Sequence, residues 1–108
     1  MAQDFERNTS NAVGTSAATL RTANSDDAIV GIMVANVATS QINVEVYINA
    51  SSNDIHLVKD APIPVGSSLQ VLDGGAKIVM QNGDALKVKS DTASSADVWV
   101  SVVDAIST

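Results

Sequence analysis

The single histidine of this 108-residue chain, His56, follows an acid by two positions in Asp54-Ile55-His56-Leu57. Residues two apart on a strand share a face, so Asp54 could orient the imidazole, and serines are plentiful as nucleophiles. Those are the residue types of a proton-transfer relay. Nothing else in the sequence converges on His56, however, and histidines on solvated faces are common. With no cysteine and no second histidine, a transition-metal site here would otherwise be all carboxylate, a poor set for zinc. His56 is therefore read as a solvent-facing residue, and no catalytic, cofactor-binding or metal-ligating residue is assigned.

Two acid-and-glycine clusters, Asp73-Gly74-Gly75 and Asn82-Gly83-Asp84, invite a calcium or phosphate reading. An EF-hand loop alternates acids and ends in a bidentate glutamate at its twelfth position. Counted from Asp73, the third and fifth positions are Gly75 and Lys77 and the twelfth is Asp84. The glycine spacing of a calcium-binding β-roll is also absent. A phosphate loop needs a following helix with a Lys-Ser or Lys-Thr pair, whereas Lys77-Ile78-Val79-Met80 follows here and reads as a strand. Asn-Gly and Gly-Gly flanked by strands mark hairpin corners, because glycine and asparagine adopt positive φ at little cost. Both clusters are expected to be turns.

Composition narrows the function further. Twelve acids against six bases give a net charge of −6, and the bases Arg7, Arg21, Lys59, Lys77, Lys87 and Lys89 form no run. Such a surface repels phosphate backbones, so nucleic acid is not an expected partner. Apart from Asp26-Asp27, neighbours in a turn, the acids are dispersed rather than set as the facing pair of a glycosidase. One Trp, one Tyr and one Phe are too few for a sugar-binding aromatic platform. The longest apolar stretch, AIVGIMVANVA, falls well short of the ~20 residues that span a bilayer. No apolar leader follows Met1, so synthesis in a cytoplasm without a signal peptide is expected, with no membrane partner.

The elements that must carry these residues have a period of two. In Ile42-Asn43-Val44-Glu45-Val46-Tyr47-Ile48-Asn49, Ile and Val alternate with polar residues, which places them on one face of a strand. Leu86/Val88, Leu69/Val71 and Val98/Val100/Val102 follow the same rule, while Ala28–Val37 is apolar on both faces and reads as a central strand. Turn residues separate the runs every 8–12 residues. The expected fold is all-β, a single antiparallel β-sandwich of about eight short strands, with jelly-roll and immunoglobulin-like connections both open. Residues 17–108 form this domain. Residues 1–16 are polar and non-periodic, and are expected to be an extended N-terminal arm held against a neighbouring subunit or along its own domain. Trp99 and Tyr47 fall on the polar side of their strands. There they mark either an interface or a surface covered by a second layer such as the arm.

The stretches Gly31–Val37, Val44–Ile48, Leu57–Leu69 (LVKDAPIPVGSSL) and Leu86–Ser90 resemble small virion proteins of tailed bacteriophages, over residues 17–105. That resemblance implies a virion structural protein and no enzyme. Its most direct form is a capsid decoration (cement) subunit binding the major capsid protein and copies of itself. A neck, tail or baseplate component is the alternative, and a carbohydrate- or receptor-binding module a lower one. Phe5 and Val13 are the expected anchors of the arm, with Tyr47 or Trp99 at a subunit contact.

Overall fold

A computed structural model describes residues 4–72 and 77–105. Nine strands follow in chain order: β1 (Asp4–Val13), β2 (Ala18–Thr22), β3 (Asp27–Asn36), β4 (Ile42–Ala50), β5 (Asn53–Ile63), β6 (Ser68–Leu72), β7 (Ile78–Met80), β8 (Ala85–Ser90) and β9 (Ala96–Asp104). They form two antiparallel sheets. One runs β1-β9-β3-β6, with β7 also on β3, and the other runs β2-β8-β4-β5. The expected β-sandwich is observed, with nine strands against about eight anticipated; the addition is β1, in residues read as an arm.

Strand pairing decides between the two connection schemes. The first strand pairs with the last (β1 with β9), the second with the next to last (β2 with β8), β3 with β6 and β7, and β4 with β5. That is one long antiparallel hairpin, tipped at the β4–β5 turn and rolled up on itself. Rolling sends each half alternately to the two sheets, which is jelly-roll winding rather than immunoglobulin winding.

Alternation sets the core. Val44, Val46, Leu86, Val88, Val100 and Val102 all point between the sheets, together with Ile29, Ile32 and Val34 of the central β3. With so few aromatics, stiff β-branched side chains fill a gap of about 10 Å between the sheets. One polar side chain within it is structural. Asn36, buried at the end of β3, donates to the carbonyls of Ser40 (2.8 Å) and Ile63 (2.9 Å) and accepts from the Ala38 amide (2.8 Å). It thereby clamps the passage from β3 to β4 and ties it to the end of β5.

The Asn82-Gly83-Asp84 cluster is a corner, as its chemistry predicts. Gly83 has φ +95°, its amide donates to Ala23 O, and the Asp84 carboxylate accepts from the Gln81 amide. Asp73-Gly74-Gly75 lies outside the described residues.

Residues 4–13 correct the expectation of a separate arm. They are extended but belong to the sandwich, paired with β9 from Asp4↔Asp104 to Val13↔Ala96. Val13 is a core residue, 4% exposed, rather than an interface anchor. Removing residues 1–14 would open the core and uncover the β9 edge, so that deletion measures folding as well as docking.

Candidate interaction surface

Residues opposite each other in a ladder point to the same face of a sheet, so register shows what the β1-β9-β3 sheet turns outward. One row crosses four strands as Phe5↔Val103↔Ala28↔Val79. A second row runs Thr9↔Trp99↔Met33↔Gln70. Between them lies Arg7↔Ser101↔Gly31, small but for the arginine. The outward face thus carries two apolar ridges and a shallow trough. Phe5 is 85% exposed, Val79 59%, Trp99 49% and Met33 38%. Arg7 reaches across to lie 5.3 Å from the centroid of the Trp99 ring, a cation–π contact that orients both side chains. Beside them, Arg7, Thr9, Ser10, Asn11, Asp97, Val98 and Trp99 line an open groove of about 420 Å³. Asp97 is fixed there by accepting the Ala12 amide at 2.9 Å.

The outward face of the other sheet differs in kind. Glu45 accepts from His56 Nε2 (3.0 Å) and Lys59 Nζ (3.4 Å), and Lys89 Nζ lies 4.0 Å away. Tyr47 tilts over His56 with ring centroids 5.0 Å apart. Tyr47 is half-buried there, and loss of solvent, then the charges of Asp54 and Glu45, push its phenol above the ordinary range. Asp54 accepts instead from Asn49 at 2.8 Å, and no nucleophile bonds to His56 among the described residues. Among the described residues no acid–imidazole–nucleophile relay forms on this face.

The hydrogen bond from His56, with help from the lysines, holds the Glu45 carboxylate below its usual range. A depressed acid adds stability above its unfolded pKa and loses it as pH falls through the folded value. Glu45→Gln is therefore expected to cost a fraction of a kcal/mol, about 0.2–1 as for other partly exposed ion pairs. The loss should be seen at neutral pH and shrink as the pH falls through the folded value, in urea unfolding at pH 7 and pH 3.

A third polar cluster closes the open side of the sandwich, where β1 overhangs β2. Arg21, 9% exposed at its side chain, bonds Asp27 Oδ2 through Nε (2.8 Å), Glu6 Oε1 through one terminal nitrogen (2.8 Å) and Asp104 Oδ1 through the other (3.2 Å). Asn8 lies 3.3 Å from the same guanidinium. Burial works against the Arg21 charge, but Asp27 and Glu6 outweigh it and raise its pKa. Asp27 is fully buried; desolvation pushes its carboxyl up against the pull of Arg21. Asp104 is held down, first by Asp27 and then by Ser25 and Arg21 once its own burial is set aside.

Of the four residues singled out in the sequence, Phe5 and Trp99 share one sheet face, two rows apart, Tyr47 belongs to the opposite face, and Val13 lies inside. Met33, Val79 and Val103 complete the apolar face. Their signal was present as the two-sided hydrophobicity of Ala28–Val37 and of Lys77–Met80, but register was needed to show that they line up.

No family model and no curated protein matches the sequence. Among solved structures, the chain is similar to a protein of Bacillus endospore appendages, described as forming a novel family of disulfide-linked pili. The TM-score is 0.55 at 14% identity, covering 94% of this chain and 84% of the other. This likeness concerns the fold. The present sequence contains no cysteine.

Proposed function

We propose that this protein is a structural subunit that packs against other protein subunits in a repetitive assembly through the outward face of its β1-β9-β3 sheet. The observation that carries this reading is the asymmetry of the two outer faces. One holds paired charges, while the other aligns Phe5, Val103, Val79, Trp99 and Met33 in two ridges with Phe5 almost wholly in solvent. Contiguous exposed apolar surface of this kind marks protein contacts, and rigid aromatics beside arginine are the residues that dominate binding energy. The fold it shares with a pilus protein is compatible with such a role. So is the virion resemblance, whose specific form is a decoration subunit on a phage shell, with a neck or tail component second.

The face must be occupied in the assembly, and this can be measured. Phe5→Ser and Trp99→Ser should each leave the fold intact, since both side chains lie outside the core. Each should weaken association by tenfold or more, as loss of an interface anchor does, in sedimentation velocity of the purified chain and in retention on particles. Wild-type association with both variants unchanged would overturn the reading. Copy number per particle separates the virion forms, hundreds for a shell and about a dozen or fewer for a tail axis.

A further inference from the structure

We propose that the β1-β9-β3 face is covered by a second copy of this chain, related by a two-fold axis that runs along the Thr9–Trp99–Met33 row. The pairing rests on the reading of that face as an interface, and names its occupant and register. Charge favours a like partner here. The chain carries a net charge of −6, so two copies repel each other over much of their surface. Across the paired rows of this face, the charged side chains are Arg7 and Asp97, one of each sign. Two acidic molecules can therefore meet on it without that repulsion.

Neither of these charges is paired within the chain. Among the described residues Arg7 joins no ion pair, and its guanidinium rests on the Trp99 ring at 5.3 Å. Asp97 accepts the Ala12 amide through Oδ1 at 2.9 Å, and no cation among the described residues meets it. Both line the open groove beside Trp99. Guanidinium and carboxylate are matched in shape and charge, yet the fold holds these two apart.

Register supplies the symmetry. Arg7 is opposite Ser101, two residues from Trp99 on one side, and Asp97 is two residues from it on the other. A half-turn about the Trp99 row exchanges those two levels, so Arg7 of each copy comes level with Asp97 of the other. The two residues sit on adjacent strands, about 4.8 Å apart sideways, a gap that an arginine side chain spans. One isologous contact thus makes two ion pairs. They flank a centre where Trp99 and Met33 meet their own counterparts, and a central aromatic anchor is where binding energy concentrates. The same half-turn carries the Phe5–Val103–Ala28–Val79 row past Asp97, level with Val37, which is 50% exposed just beyond β3. Sheets meeting in this way lie about 10 Å apart, as in a sandwich core.

The test uses the full chain. In sedimentation velocity the wild type should form a concentration-dependent dimer. Arg7→Asp and Asp97→Lys should each weaken it tenfold or more, because each sets like charges opposite each other twice. An equal mixture of the two should associate at least tenfold more tightly than either alone, since every mixed pair regains two opposite-charge contacts. Asp97 also caps the Ala12 amide, so a second measurement leaves it untouched. The chain has no cysteine, and Thr9 is exposed and on the axis. Thr9→Cys should be linked to its own counterpart by a short bis-maleimide under dimer-forming conditions, and Lys59→Cys on the other sheet should not. A monomeric wild type, a mixture of folded variants no tighter than its components, or Thr9→Cys left unlinked would each overturn the two-fold pairing. Those results leave the interface reading standing if Phe5→Ser and Trp99→Ser still lower retention on particles, so the two failures are separable.

Discussion

Replacing Arg21 with methionine is expected to cost about 3–5 kcal/mol, the range for removing one partner of a buried ion pair. The reason lies in Asp27 more than in any bond that Arg21 makes at the surface. Asp27 is fully buried, and its one strong partner is the Arg21 Nε at 2.8 Å. Without the guanidinium, Asp27 is left buried beside Asp104 with no counter-charge, and it must either stay ionised there or take up a proton, each at a cost in free energy. Methionine keeps much of the volume, so the loss reflects charge rather than a cavity. In thermal unfolding it amounts to a drop on the order of 10–20 °C for a domain of this size.

A double substitution separates this cause from packing. Arg21→Met/Asp27→Asn removes both charges and gives the asparagine amide a donor to direct at Asp104. It should recover more than half of the single loss, the non-additivity that marks a direct pair. Recovery below a quarter, or a single cost under 1 kcal/mol, would show that the cluster is not what holds β1 over β2. The Glu6 bond (2.8 Å), half in solvent at the carboxylate, contributes the smaller part, because screened ion pairs are worth little.

The second large effect belongs to Asn36. Asn36→Ala is expected to cost about 2–4 kcal/mol, since it strands several polar groups at once. Two carbonyls, of Ser40 and Ile63, lose their donor, and the Ala38 amide loses its acceptor. The bond to Ile63 is buried, so water cannot replace it without opening the sandwich. Asn36→Asp is the informative companion. It keeps an acceptor for Ala38 but loses both donors and adds a charge, so it should be at least as damaging as alanine. Hydrogen exchange at the Ala38 amide reports the site directly, with faster exchange in the alanine variant and near-native protection in the aspartate variant at temperatures where both are folded. Equal protection in wild type and the alanine variant would sink the clamp.

How far the fold was legible depended on whether a strand had an apolar side. Ile42, Val44, Val46 and Ile48 alternate with polar residues and are all buried, because each has the opposite sheet beneath it. The same holds for Leu86 and Val88, and for Val98, Val100 and Val102. β1 gave no such signal. It lies at the edge of its sheet, and its inward residues Glu6 and Asn8 meet Arg21 rather than a hydrophobic layer. Apart from Phe5 at one end and Val13 at the other, both faces are therefore polar, and periodicity cannot report a strand held by backbone hydrogen bonds and an ion cluster.

The candidate surface divides along the same line. Trp99 and Phe5 could be picked out as large aromatics among polar neighbours, but a strand's pattern says nothing about which residue of another strand lies beside it. The Phe5-Val103-Ala28-Val79 row draws on four strands from both ends of the chain. The acids of the Arg21 corner are likewise scattered as Asp4, Glu6, Asp27 and Asp104, and only the pairing of first strand with last collects them.

By itself the sequence determined the all-β class, the inward sets of the alternating strands and the Asn82-Gly83 corner, since each follows from local backbone preference and a two-residue period. Tertiary structure alone decided the jelly-roll winding, the inclusion of residues 4–13 in the sheet, and the contrast between an apolar and a charged outer face. Those depend on the register between strands distant in sequence, which hydrogen bonds and core packing set jointly and no single strand encodes.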